Sequence, residues 1–176
     1  MPRLGRWTPW RVLAILLVVG LSLVILLIPQ EQIEELQVYG YPGIFLLSLV
    51  ANATIIVPAP AILVVFALGA HLPPLWLGLA AGSGAAIGEL SGYLAGFGGQ
   101  AIIEDQASYQ RLTAWMQRNG NLTVFALALV PNPIFDLAGI AAGALRMPVW
   151  RFLVWCWLGK VLRMMGIALA GAGLFG

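Results

Sequence analysis

The sequence predicts an all-α integral membrane protein: an N-terminal transmembrane helix, then an inverted repeat in which each copy is a re-entrant helical hairpin plus a transmembrane helix. Three observations lead there. The chain is 61% apolar and only 9% charged, where soluble proteins average roughly 45–50% and 25%. Two long apolar stretches are broken in the middle by prolines, and a short pattern recurs 74 positions apart. The nine basic residues are scattered, with no basic run or aromatic-interleaved patch, which excludes nucleic-acid binding. The single Cys156 excludes an intrachain disulfide and a cysteine-based metal cluster. No metal-ligand spacing, nucleotide loop or Ser/His pair at membrane depth is present, so neither a metal nor a cofactor is expected and the chain does not read as an enzyme.

Residues 1–41 form the first unit. Arg3, Arg6 and Arg11 precede an apolar run from Val12 to Ile28, followed by Pro29-Gln30-Glu31 with no small-x-small cleavage site. We read a retained helix. A polar connector carrying Glu31, Glu34 and Glu35 then leads to Gly40-Tyr41-Pro42.

Residues 42–176 form the second unit, with repeat one at 42–97, an amphipathic linker at 98–121 and repeat two at 122–176. From Gly43 to Ala70 the chain is apolar but interrupted by Asn52, Thr54, Pro58 and Pro60. A single straight helix of that length would exceed 40 Å at ~1.5 Å per residue, more than the ~30 Å hydrocarbon core. A hairpin fits better. Pro73-Pro74 opens a spanning helix to Phe97 in which Gly84, Gly88, Gly92 and Gly96 recur every fourth position, a bare stripe for close helix packing. In the linker, Leu112, Trp115 and Met116 share one helical face among polar neighbours, as in a helix lying in the interface. The second broken stretch, Leu122 to Leu145, is interrupted by Pro131-Asn132-Pro133 and Asp136, and Pro148 opens the last helix.

The repeat is A-x-G-A-x-x-x-P-x-W, once from Ala67 to Trp76 and again from Ala141 to Trp150. Pro58 and Pro60 match Pro131 and Pro133. Each copy crosses once and the linker does not cross, so the second copy is upside down. Inverted repeats with broken segments in corresponding places point to a transport site near the midplane. The arginines place the N-terminus in the cytoplasm and the protein in the cell membrane, with Arg111, Arg118, Arg146 and Arg151 on the same side as the N-terminus if both stretches are re-entrant.

The charges at membrane depth are Glu89, Asp136, Lys160 and Arg163, each costly unless paired or hydrated. At the 74 offset Glu89 corresponds to Arg163, and Lys160 and Arg163 share a helix face. These four, with Asn52 and Asn132, are the candidate substrate path. Two readings stay open: a static ion-pair network holding the bundle, or a path for a polar headgroup. Asp136 also suits the N-terminal cap of its hairpin's second leg. His71, the single histidine, falls at an interfacial turn. The sequons at Asn52 and Asn121 lie in or beside apolar sequence and are not expected to carry glycans.

Gly88-Glu89-Leu90-Ser91-Gly92-Tyr93-Leu94-Ala95-Gly96 resembles the G-[DE]-x-x-x-Y-x-x-G signature of the DedA/VTT (SNARE-associated Golgi protein) superfamily. The segment through Ala138-Gly139 to Met147 and Phe152 is similar to that family's second hairpin. The resemblance implies two facing re-entrant hairpins and work on membrane lipids, as a flippase or scramblase of phospholipid or polyprenyl-phosphate. Where bacterial members carry an acidic residue in the first hairpin this chain has Asn52, and where they carry arginines around the second proline it has Asn132 and Asp136. The rivals to a lipid transporter are a non-transporting membrane scaffold and a small-ion exporter coupled to protons. Assembly into a homo-oligomer stays open.

Overall fold

The computed structural model describes residues 33–53, 59–98, 106–131 and 135–175, and every regular element among them is an α-helix. In order they are α1 (Ile33–Ala53), α2 (Ala59–Gly69), α3 (Pro74–Gly88), α4 (Leu90–Phe97), α5 (Gln106–Leu129), α6 (Phe135–Ala144) and α7 (Val149–Phe175). The expected N-terminal helix, Pro58, Asn132 and Pro133 lie outside the described residues.

The second apolar stretch loses its helical geometry at Val130 and Pro131, where the prolines predicted; the first is helical to Ala53 and again from Ala59, and residues 54–58 between lie outside the described residues. Pro60 falls in the first turn of α2, where its missing N–H removes no helical bond. Other boundaries differ from the sequence reading. The connector, open to being a short interfacial helix or a loop, is helical from Ile33 and does not end at Pro42, because α1 runs through that residue to Ala53. That ring is exposed, away from neighbouring helices. The linker helix gives way close to the expected boundary at 121: within α5, Asn119, whose φ of −154° and ψ of 77° are not helical, separates it from the stretch that runs on to Leu129. The side chain of Asn119 restarts the helix by accepting from the Leu122 N–H at 3.4 Å.

The spanning helix expected at 75–97 is interrupted at Glu89, between α3 and α4. The glycine stripe explains the interruption. A methyl at Gly84 would meet the Phe45 carbonyl and one at Gly88 the Leu49 carbonyl, both on α1. One at Gly96 would meet the Ile140 carbonyl on α6, and Gly92 faces the Asp136 carbonyl. The stripe therefore serves two partners rather than one, and the bend at Glu89 lets the two halves face different neighbours.

Two cores result, one on either side of the break. One gathers Ile44, Val64, Val65, Leu77 and Met164 around α1, α2, α3 and the end of α7. The other gathers Tyr93, Met116, Val124, Phe135, Phe152 and Cys156 around α4, α5, α6 and the start of α7. The seam between them is α3 against α7, which run antiparallel: Gly78 abuts Met165 and Gly82 abuts Val161.

The contacts repeat in pairs. Gly84 sits against the Phe45 carbonyl and the Leu49 amide, and Gly159 sits against the Phe125 carbonyl and the Leu129 amide. Gly143 packs on Tyr93 while Gly96 packs on Ile140; likewise Gly69 packs on Ala168 while Gly171 packs on Phe66. Since the equivalent helices α3 and α7 are antiparallel, the two halves are related by an inverting pseudo-two-fold. Gly84 and Gly159 are 75 positions apart, one more than the sequence pattern implies. That moves Arg163 out of register with Glu89 and opposite Gly88.

Among the described residues, α7 is the one helix long and apolar enough to cross a membrane, over Val149–Leu174.

Candidate functional site

At the break between α3 and α4, Glu89 turns inward and its Oε1 lies 2.6 Å from the Lys160 Nζ. Both side chains are almost sealed, at 4% exposure each. Lys160 also donates to the Asn52 Oδ1 at 2.7 Å, near the end of α1. Its ammonium sits 4.5 Å from the centroid of Phe135, the first residue of α6. One lysine on α7 thus touches the end of the first leg of the first apolar stretch, Glu89 between α3 and α4, and the start of the second leg of the second stretch. Asn52 is held for this by its own amide, which donates to the Ser48 carbonyl at 2.8 Å. An ammonium has three donors, and two strong acceptors plus an aromatic face satisfy it away from water.

The sequence put Glu89, Asp136, Lys160 and Arg163 in one neutral cluster, with Glu89 and Arg163 as counterparts. The structure pairs Glu89 with Lys160 instead, and Arg163 lies about a turn further along α7. Asp136 lies in the first turn of α6, inside the helix rather than at its cap, where a carboxylate is favoured by the helix dipole. It is near enough to Lys160 and Glu89 for their charges to interact, but forms no ion pair among the described residues. Arg163 interacts electrostatically with Glu89 at longer range, and its Nε is buried with no hydrogen-bond partner. Among the described residues the result is one closed pair flanked by a carboxylate with no ion-pair partner and a guanidinium whose Nε has no hydrogen-bond partner.

Two features were not singled out from sequence. The Tyr93 hydroxyl donates to the Met147 carbonyl at 2.6 Å, and its ring stacks on the buried Phe152 with centroids 5.3 Å apart. This fastens α4 to the turn between α6 and α7. That turn carries Arg146 at a φ of 53°, with the Met147 amide reaching back to the Ala142 carbonyl at 2.9 Å and the Arg146 amide to the Gly143 carbonyl at 2.9 Å. The pattern closes the helix end with an arginine where glycine is usual. The second feature is Phe135, whose position beside a proline-broken segment gave no hint that it covers a lysine. No group of metal-ligating side chains occurs among the described residues.

The VTT domain model matches residues 57–173. Vacuole membrane protein KMS2 of Arabidopsis thaliana is 35% identical over 104 residues, covering 54% of this chain and 23% of that protein. Vacuole membrane protein KMS1 of the same plant is 41% identical over 56 residues, 30% of this chain and 14% of that protein. Vacuole membrane protein 1 of Homo sapiens is 38% identical over 66 residues, 36% and 16% of the two chains. The chain thus spans less than a quarter of these relatives' length. No solved structure matches.

Proposed function

The chain belongs to the VTT domain family, and from that premise we propose that it is a multi-pass transporter of membrane lipids, a flippase or scramblase of phospholipid or polyprenyl-phosphate. It works without enzymatic chemistry, in the cell membrane with its N-terminus in the cytoplasm. The observation that carries this reading is the closed Lys160–Glu89 pair with Asp136 and Arg163 beside it, at the meeting point of both broken segments.

Irregular backbone at membrane depth is tolerated only against protein or beside water. Asn52 in the last turn of α1 and Phe135 at the start of α6 both touch Lys160, which suits two re-entrant hairpins meeting there. The tryptophans of the repeat support the depth. Trp76 is level with about residue 167 of α7, by the Gly78–Met165 and Gly82–Val161 contacts, while Trp150 begins that helix. Some 17 residues at ~1.5 Å each separate them by about 26 Å, close to the hydrocarbon thickness. Both tryptophans are exposed, as interfacial anchors are. A headgroup passing the cluster would meet a cation at Arg163 and an anion at Asp136 and exchange water for them.

A second reading has its own support: Glu89, Lys160 and Asn52 satisfy one another, as a static brace in a membrane scaffold would. Purified protein in vesicles carrying fluorescent phospholipid distinguishes the two. Transporter activity exposes inner-leaflet label to external dithionite; a scaffold leaves it protected, as in empty vesicles, for phospholipid and polyprenyl-phosphate alike.

A further inference from the structure

Away from the midplane cluster, the bend in α5 leaves a cavity of about 280 Å³ against the turn between α6 and α7. Its polar lining is Gln117 and Asn121 on α5 and Arg151 at the start of α7; Met116, Leu145 and Met147 supply the apolar wall. The kink at Asn119 makes the space, since it turns the second half of α5 away from the line of the first. Gly120 keeps it open, a methyl there coming within 3.7 Å of the Met147 sulfur. The Tyr93–Met147 bond fixes the opposite wall.

We propose that this cavity binds the phosphate-bearing headgroup of an anionic lipid at the membrane surface, as a site separate from the transport path. Arg151 has no carboxylate partner among the described residues and is held over the exposed Trp150 ring, 5.3 Å from its centroid. That stacking sets a guanidinium at the level where interfacial tryptophans sit. Gln117 and Asn121 add amide donors, a set that matches phosphate oxygens. Methionine and leucine on the remaining wall suit the glycerol and first methylenes of a lipid rather than a fully hydrated anion. The volume is just under the ~300–1,000 Å³ usual for small-molecule sites, enough for a headgroup but not for acyl chains. Arg118 and Arg146 are exposed at the same end, so the site sits in a positive collar facing the leaflet where anionic lipids concentrate.

The test measures thermal unfolding of the full chain in detergent titrated with phosphatidylglycerol, phosphatidylcholine or inorganic phosphate. Phosphatidylglycerol is expected to raise the melting temperature and phosphatidylcholine to do so far less. Arg151→Gln should weaken the apparent affinity for phosphatidylglycerol about tenfold, the loss of one charge-assisted contact. Asn121→Leu, which keeps the arginine, should weaken it as well and serves if Arg151→Gln does not fold. His71→Gln, at the opposite end of α3 and α7 from the cavity, should respond like the wild type; loss of the response in Arg151→Gln with lipid movement in vesicles retained separates this site from the transport reading. Equal responses of wild type, Arg151→Gln and Asn121→Leu would overturn the site. An Arg151-dependent rise with inorganic phosphate equal to that with phosphatidylglycerol would overturn the lipid assignment in favour of a soluble phosphate.

Discussion

Lys160, and not Arg163, is the cation paired with Glu89, at 2.6 Å, and both members of the pair are sealed from solvent. Removing one partner strands the other charge, at a typical cost of about 3–5 kcal/mol. Glu89→Gln should therefore lower the melting temperature of the solubilised protein sharply. Adding Lys160→Met should restore much of the loss, whereas adding Arg163→Gln should not. Rescue by Arg163→Gln would mean that Arg163 is the partner.

The glycines separate close contact from open surface. Gly143→Ala would drive a methyl into the Tyr93 carbonyl, and overpacking of this kind costs about 1–3 kcal/mol. Gly166 has nothing within 4 Å of where a methyl would sit, so Gly166→Ala should instead gain up to ~1 kcal/mol of helix propensity. Thermal scans of the two variants should move in opposite directions.

Tyr93→Phe removes the hydroxyl that reaches Met147 but keeps the stacking on Phe152. A loss of about 0.5–1.5 kcal/mol is expected, the usual net worth of one hydrogen bond. Limited proteolysis should show faster cleavage near Arg146, since the turn there loses its tie to α4. An unchanged cleavage rate would assign the turn's order to its own backbone bonds.

The antiparallel seam of α3 and α7 fixes which residues share a membrane face. In a Cys156→Ser background, a cysteine at His71 should label from outside intact cells, and cysteines at Arg118 and Arg146 should not. Labelling at Arg146 but not at Arg118 would mean that the second broken stretch crosses the membrane, and the re-entrant arrangement would fail. Wild-type Cys156, fully buried beside the cluster, should resist maleimide until the protein unfolds.

The helical class, the loss of helix at Val130 and Pro131 and the charged members of the polar cluster were legible because each rests on local composition: prolines end helices, and charges stand out in apolar sequence. The register was not. The letters aligned at Pro74 and Pro148, 74 apart, whereas the packing repeats at Gly84 and Gly159, 75 apart. At the packing offset Arg163 corresponds to Gly88 rather than to Glu89, so the sequence alignment was no guide to the partner of Glu89. The matching pairs Phe45/Leu49 and Phe125/Leu129 were present in the sequence but are 80 apart, so a fixed offset could not find them. The bend at Glu89 was hidden for another reason: no proline marks it, and its cause is the need of one glycine row to meet both α1 and α6.

The central claim is that Asp136 and Arg163, beside the closed pair, form part of a lipid path. The most direct measurement is dithionite accessibility of fluorescent phospholipid in vesicles containing wild type or Asp136→Asn at matched protein density and equal thermal stability. The account predicts that wild type exposes the inner-leaflet label and that Asp136→Asn leaves most of it protected. Label movement by Asp136→Asn at the wild-type rate would contradict the site assignment.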